Sequence, residues 1–475
     1  ERVPGLAPVP GTGIYPLMTS PNGWRALLNA ELAPRFALLC LGIWLNAADT
    51  LVTVTIMPSV AREIGGYQYF GWSVAAFLLG SILAGACAGK LSIRFGLRNA
   101  TALAGVFYVL GCAMGALAPE FLTFVAGRLV QGLGAGAIVS LCYVAITALF
   151  PERLWPRVYG AVAGVWGAAT LLGPLCGGLF AQAGFWRGAF WLFVVQGVIF
   201  VGAVLLMVPA APRALEGGRI PRRQLALLTV GVSLIAAAGV IGGQLIPALC
   251  AVLGVLAMAA MLLVNGRSQN RLLPKAAGDL TTATGLGLLV IFACEAAAIG
   301  FTVYGPAFIQ ALHGASPLLS GYVIGGVAAG WTACSFAVAG LGPRREGLAI
   351  RLGAAIIVVG VAWGAFEMAH GSLVGVALSM ITLGAGFGVC WAFLAKRVIG
   401  GAPADEQALA SAAVPTTQLI GGAVGSAAAG ALANLLGFAH GVDATVGHAH
   451  GFWLFAAFTP LALVGLGAAW RLGRD

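Results

Sequence analysis

The chain has 475 residues, of which 60% are apolar and only 8% charged, and its mean hydropathy is +0.97. Those values lie outside the range of soluble globular domains and far from that of disordered, charge-rich segments. The net charge of +10 needs no nucleic-acid partner to explain it, because the basic residues gather on particular loops in a way that topology and anionic lipid account for.

Residues 1–36 are rich in Pro and Gly at first and hold no long apolar run, which predicts a cytoplasmic tail and not a signal peptide. Within it, TSPNGWRALLNAELAPRF can form a short interfacial helix. A helix needs roughly 20 apolar residues to cross the hydrocarbon core. By that measure fourteen runs follow: 37–57, 71–89, 100–118, 122–149, 158–181, 188–208, 225–243, 245–264, 283–311, 318–340, 349–369, 373–395, 407–436 and 452–470. They are unbroken apolar runs, which excludes a barrel of alternating strands and predicts an all-α integral membrane protein.

Orientation follows from Lys and Arg, which stay on the cytoplasmic side. Lys90, Arg94 and Arg98 follow the second run, Arg153 and Arg157 the fourth, Arg213, Arg219, Arg222 and Arg223 the sixth, and Arg267, Arg271 and Lys275 the eighth. Arg344, Arg345 and Arg351 follow the tenth, and Lys396 and Arg397 the twelfth. The opposite face carries Arg62 and Arg187, so both termini are expected in the cytoplasm. The nine cysteines are scattered singly through the runs and predict neither a disulfide frame nor a zinc site.

An internal echo divides the chain. GKLSIRFG, Gly89 to Gly96, closes the second run and GLGPRREG, Gly340 to Gly347, closes the tenth; both read Gly, four residues, Arg, one residue, Gly. Two six-helix bundles, 37–208 and 283–470, separated by a linker of two extra helices within 209–282 and followed by a short tail, 471–475, account for that placement. The extra pair carries no charge in its core and is expected at the periphery.

Charge inside the runs points to chemistry. In LNAADTLVTVTIMPS, Asp49 lies midway along the first run, with Asn46 and Thr53 on the same helical face. An ionised carboxylate at mid-bilayer costs roughly 2.5–3.5 kcal/mol. A dry setting favours its neutral form and a nearby Arg its charged form, so an Asp alternating between the two is suited to carry a proton. A fixed structural ion pair is the competing reading. Arg128 lies deep inside the fourth run with Gln131 one turn along; either Asp49 or Glu295 can serve as its partner. Glu295, near the middle of the ninth run, is a second proton-site or cation-recognition candidate, and Gly305 and Pro306 can kink that helix. Ala169, Gly173 and Gly177 recur every fourth residue and predict a stripe that a neighbouring backbone can approach, with Pro174 adding a bend. Tyr143, Trp166, Tyr304 and Trp391 are candidates for lining a substrate cavity, although aromatics in spans also pack on helices or lipid. His440, His448 and His450 beside Asp443 read as a solvated external loop without metal-ligand spacing, and Glu367 and His370 as an interfacial rim.

These residues resemble motifs of the major facilitator superfamily, in particular its fourteen-helix drug:proton antiporter branch. GKLSIRFGLRNA is similar to the signature loop between helices 2 and 3, RLVQGLGAG to the fourth-helix motif, and GAATLLGPLCGG to the antiporter motif of helix 5; an acid nine residues before Pro58 matches the first-helix motif. The resemblance implies a gate at Gly89, Arg94, Gly96 and Arg98, a conformational element at Gly173, Pro174, Gly177 and Gly178 that marks export, and participation of Arg128 in proton movement. The sequence departs from the pattern at Ile93, where the signature loop usually carries an acid that holds the cytoplasmic gate closed, at Val54 in place of Asn, and at Ala169 in place of Gly. The Trp-Arg pair before span 6 is present as Trp186 and Arg187.

The function expected is proton-coupled export of amphipathic or lipophilic molecules by alternating access, with Asp49, Glu295 and Arg128 coupling protons and Asn46, Thr53, Gln131 and the four aromatics facing substrate. The alternatives are the same fold dedicated to one metabolite, lipid or siderophore, an importer, or a non-transporting receptor. No nucleotide-binding loop or catalytic triad is visible, so an enzyme is not expected. Expected surroundings are a bacterial inner membrane, a monomer, a small-molecule substrate, protons as coupling ion and no cofactor or metal.

Overall fold

The computed structural model of the chain describes Leu27, Ala30 and residues 32–210, 220–243 and 245–474. Most of the expected tail and of its interfacial segment falls outside these residues, as do Arg213 and Arg219, but residues 32–36 already belong to the first long helix and not to a tail. Among the described residues the regular structure is helical. The first six long helices are α1 (Leu32–Ile64), α2 (Phe70–Phe95), α3 (Leu97–Leu117), α4 (Phe121–Leu149), α5 (Trp155–Gln182) and α6 (Arg187–Met207). Then come α7 (Arg222–Ala238), α8 (Leu245–Arg267), α9 (Ala283–His313), α10 (Pro317–Val338), α11 (Glu346–His370), α12 (Leu373–Gly400) and α13 (Gln407–Leu435). The chain closes with α14 (Ala444–Ala456) and α15 (Thr459–Leu472).

Twelve helical segments among the described residues are long and apolar enough to cross a membrane, α14 and α15 together forming one of them. α7, at 17 residues, and α13, rich in Ala and Gly, lie outside that set. The last run differs from expectation in being two helices. Pro460, in the first turn of α15, has no N–H to donate to Ala456 and its ring crowds that carbonyl, so the helix breaks and restarts. The stretch holding His448 and His450 is also helix and not loop. Asp443 caps it, accepting from the Val446 N–H at 2.9 Å, and the Thr445 hydroxyl and the Val446 N–H hold its carboxyl below the usual carboxylate range.

Packing falls into two groups. In the first, α4 packs on α2 and α3, α3 on α6, and α1 on α5; in the second, α12 packs on α10 and α11, and α9 on α13 and α15. Between them, α8 is largely exposed, as a peripheral helix should be, but α7 is not peripheral. Besides α8, it packs on α13 and on α2, Gly239 at its end lying against Ala431 of α13. Trp72 Nε1 donates to Ala236 O at 3.1 Å, and Asn434 Nδ2 donates both to Gly239 O at 2.9 Å and to Gln68 O at 2.8 Å. The end of α7 therefore touches both groups where α2 meets α13.

Lipid tails are as apolar as Leu, so these helices gain little by hiding apolar side chains from their surroundings and depend on close backbone approach instead. α4 supplies it on two sides. A Cβ at Gly132 would stand 2.1 Å from Phe77 O and one at Gly136 2.3 Å from Ser81 O, both on α2, while one at Gly134 would stand 2.2 Å from Tyr108 N on α3. Gly164 on α5, by contrast, has nothing within 4 Å of such a Cβ. Gly134→Ala is expected to lower thermal stability, since overpacking costs about 1–3 kcal/mol, whereas Gly164→Ala leaves it unchanged or raises it through the helix preference of Ala, about 1 kcal/mol. Comparing unfolding midpoints of the two variants in detergent checks this.

Candidate functional site

The three-helix junction of α1, α3 and α4 holds a buried polar cluster. Asp49 on α1 and Gln131 on α4 are wholly inaccessible, and Arg128 is 3% exposed. Arg128 Nη1 donates to Asp49 Oδ2 at 3.1 Å, to Asp49 Oδ1 at 3.3 Å and to Gln131 Oε1 at 2.6 Å. Gln131 Nε2 and the Thr53 hydroxyl donate to Asp49 Oδ1 at 2.9 and 3.1 Å. α3 closes the site: Cys112 Sγ lies 3.1 Å from Gln131 Nε2, and the Tyr108 hydroxyl donates to Leu45 O at 3.1 Å. α2 closes the remaining side, placing the ring of Phe77 4.2 Å from the Arg128 guanidinium carbon. The open choice of partner for Arg128 thus falls on Asp49. The spacing of α1 also works as expected for Thr53 but not for Asn46, whose half-buried side chain takes no part in the cluster's hydrogen bonds.

Such a site has a definite chemistry. The carboxylate accepts from one cation and two neutral donors, so neutralising it by a proton releases the salt bridge while leaving Arg128 still charged. Glu295 stands apart from this cluster. It is half-buried on α9, accepts from Gln418 Nε2 on α13 at 3.2 Å, and has no cationic partner among the described residues. Gly421 and Gly422 open the space around it, a Cβ at Gly422 reaching both Leu78 of α2, at 3.0 Å, and Glu295 Oε1, at 3.9 Å.

The two groups of helices meet where the small-residue stripe of α5 lies. A Cβ at Gly173 would stand 2.6 Å from Leu51 Cβ, and one at Gly177 2.9 Å from Val52 O, both on α1; one at Gly178 would stand 2.6 Å from Leu318 Cα on α10. Pro174 is buried against Gly321 of α10, and the Tyr322 hydroxyl donates to Leu171 O at 3.0 Å. On the symmetry-related side, Gly71 of α2 lies against Ser426 and Gly430 of α13. These contacts lie toward the helix ends that carry Arg62 and Arg187. Toward the opposite, basic end one face of α5 is open: a Cβ at Gly164 or at Gly167 meets nothing within 4 Å, while Val158 and Val162 stay buried.

The signature loop belongs to that basic end. Gly89 faces open space, Arg94 is exposed, Ile93 is 37% exposed, and neither Arg94 nor Arg98 has an ion-pair partner among the described residues. Gly96 sits at φ +78°, a backbone that L side chains rarely adopt, and makes the corner between α2 and α3. At the other end the Trp-Arg pair does have a partner that the motif alone did not name. Arg187 pairs with Glu63 and donates to Ala118 O at 3.0 Å, and Trp186 Nε1 donates to Glu63 at 2.7 Å, tying α1, α3 and α6 together.

The aromatic candidates lie on four helices, α4, α5, α9 and α12. Tyr143 stacks on Tyr159 at 6.1 Å and is 44% exposed; Trp166 is 41% exposed. Tyr304 is buried against Phe70 at the α2–α13 seam, and Trp391 packs on Trp331, itself stacked on Phe387. His448 Nδ1 lies 2.7 Å from Ala369 O, and no cluster of three potential metal ligands occurs among the described residues.

The match of α2, α4 and α5 to their motifs is one part of a likeness that runs through most of the chain: the sequence pattern of the Major Facilitator Superfamily fits residues 39–426. The chain belongs to this superfamily. A protein of Mycobacterium tuberculosis (strain ATCC 25618 / H37Rv) named probable multidrug-efflux transporter is 31% identical over 467 residues, 95% of this chain and 96% of its own. Multidrug resistance protein 3 of Bacillus subtilis is 27% identical over 161 residues, 34% of this chain and 31% of its own. Among solved structures, a POT family transporter in complex with 5-aminolevulinic acid superposes with a TM-score of 0.68 at 14% identity over 95% of this chain and 98% of that one. A D-xylose-proton symporter superposes with a TM-score of 0.62 at 20% identity, over 93% and 97%. At those identities the structures show a shared superfamily fold.

The site rests on a buried pair, and breaking such a pair by removing one partner costs about 3–5 kcal/mol. Arg128→Met is therefore expected to lower the unfolding midpoint in detergent strongly near neutral pH. The deficit should shrink as pH falls, because protonation removes the unpaired charge, and Asp49→Leu combined with Arg128→Met should recover most of it. A pH series of thermal unfolding curves for the three variants measures this.

Proposed function

We propose that the protein is a proton-coupled secondary transporter that exports amphipathic or lipophilic small molecules by alternating access. The observation that carries the reading is the dry Asp49–Arg128 pair, reinforced by Gln131 and Thr53, in a superfamily chain whose 31%-identical, full-length relative is named a multidrug-efflux transporter. Intramembrane charges are costly and mark ion pathways more often than not.

The remaining parts of the reading fit together. With Lys and Arg in the cytoplasm, both termini are cytoplasmic and the open, basic end faces the cell interior. The packed ends of α5 with α10 and α2 with α13 then seal the outside, and the molecule stands open to load substrate from within. Adding α7 and α13 to the twelve long apolar segments makes fourteen spans: a bundle over 37–208, a pair within 209–282 and a second bundle over 283–470. Asp49 takes its proton from outside after the bundles rock and releases it inside, where Arg128 reclaims the carboxylate. Glu295 is the second candidate for a proton or for a cationic substrate. A monomer in a bacterial inner membrane, with the proton as coupling ion, no other cofactor and no covalent catalysis, completes the assignment. One proton moving down about 100 mV supplies roughly 2.3 kcal/mol, enough for about a fifty-fold gradient of a neutral substrate.

Substrate-driven proton release from purified protein tests the coupling. Wild type is expected to release protons on adding a lipophilic dye, Asp49→Asn to release none, and Glu295→Gln to release fewer; release at the wild-type level from both variants rejects the assignment. In inverted vesicles, gradient-dependent transport of several unrelated dyes supports multidrug export, whereas transport of a single compound supports a dedicated carrier.

A further inference from the structure

We propose that Phe77 is a positioning residue of the proton site, its ring holding the Arg128 guanidinium while Asp49 is neutral. The inference rests on the proton-coupling reading above and deepens it. Arg128 is bound lopsidedly: Nη1 alone reaches Asp49, Gln131 and Thr53, whereas Nε is buried without any hydrogen-bond partner. The ring of the buried Phe77 lies 4.2 Å from the guanidinium carbon, within range for a cation to be attracted to an aromatic face, and that attraction strengthens when water is excluded. It is placed there by main-chain contact, since only a glycine at 132 lets α2 come so near that a Cβ would fall 2.1 Å from Phe77 O.

This arrangement addresses the hardest moment of the cycle. When a proton binds an Asp49 oxygen, the N–H···O pair loses its charge but Arg128 keeps its own, in a place that water does not reach. Gln131 Oε1 remains as a neutral acceptor on one side and the π-face of Phe77 remains on the other. The ring therefore favours the protonated site by stabilising the lone cation. Without it the cation depends more heavily on the carboxylate, which then binds its proton less readily.

Other titratable groups are few. α3 brings Tyr108 and Cys112 to the site. Toward the other packed helices, the charged residues Lys90 and Arg94 of α2, Arg157 of α5 and Arg187 of α6 all lie near helix ends, and Glu295, midway along α9, which also packs on α1, is bonded to Gln418.

The test is an infrared pH titration of the protonated-carboxyl band that disappears in Asp49→Asn, on purified full-length protein. Phe77→Leu and Phe77→Met remove the ring, Met keeping more of the reach, and Phe77→Tyr keeps it. Both ring-less variants are expected to move the band's midpoint to lower pH by about 0.4–1.5 units, while Phe77→Tyr titrates within about 0.3 units of wild type. Ring-less variants that titrate as wild type, or a Tyr variant that shifts as far as they do, overturn the assignment. Absence of any band lost in Asp49→Asn rejects the proton-coupling reading itself, and this inference with it.

Discussion

A carboxylate in a dry helical bundle is costly without a compensating charge, and in this chain that charge sits on α4, whose glycines let α2 and α3 pack on it almost backbone to backbone. Gly132 and Gly136 admit α2, Gly134 admits α3, and the resulting junction presses Arg128 and Gln131 onto Asp49. A Cβ at any of these glycines would press on a neighbouring backbone, and removing one partner of the pair would leave an unmatched buried charge. Fold and chemistry are therefore one constraint read at two scales, and the small residues of α4 belong to the Asp49–Arg128 site as much as the charged ones do.

The same frame recurs without the charges. Gly384 and Gly388 of α12 face Val327 and Trp331 of α10, and Gly386 faces Ile357 of α11, repeating the G-x-G-x-G of Gly132, Gly134 and Gly136. Where α4 has Arg128 and Gln131, four residues and one residue before its first glycine, α12 has Met380 and Leu383, both buried. Counting back from the helix prolines, Asp49 stands nine residues before Pro58, and the matching place before Pro306 is Ala297. Glu295 is thus not the counterpart of Asp49 in the repeat. The two halves share a packing scaffold and divide the electrostatics unequally, with the ion pair in the first half and a lone, amide-bonded acid in the second.

Much of this was legible in the sequence because membranes impose strong compositional rules. The apolar runs, the alternation of basic loops and the isolated charges at 49, 128 and 295 all follow from the cost of placing polar groups in hydrocarbon. What escaped were features set by three-dimensional approach. The choice of Asp49 over Glu295 as partner of Arg128 depends on which helix crosses which, and Phe77, Tyr108 and Cys112 look like ordinary apolar or aromatic lining until α2 and α3 are docked. The docking of α7 across the α2–α13 seam depends on main-chain oxygens of Ala236 and Gly239, which carry no side-chain signal. The break in the last run was readable at Pro460, and the glycine repeat of α12 was present as a pattern in the sequence. For Tyr143, Trp166, Tyr304 and Trp391, residue type alone does not say which way a ring in a span will face.

The central claim is that the environment of Asp49 alternates. The most direct measurement is a structure of the opposite state, with the basic ends of α2, α5, α10 and α13 drawn together and the far ends apart. The account predicts that Asp49 and Arg128 are there separated beyond hydrogen-bonding distance and that water reaches the carboxyl from outside. An intact, water-free pair in both states would contradict it.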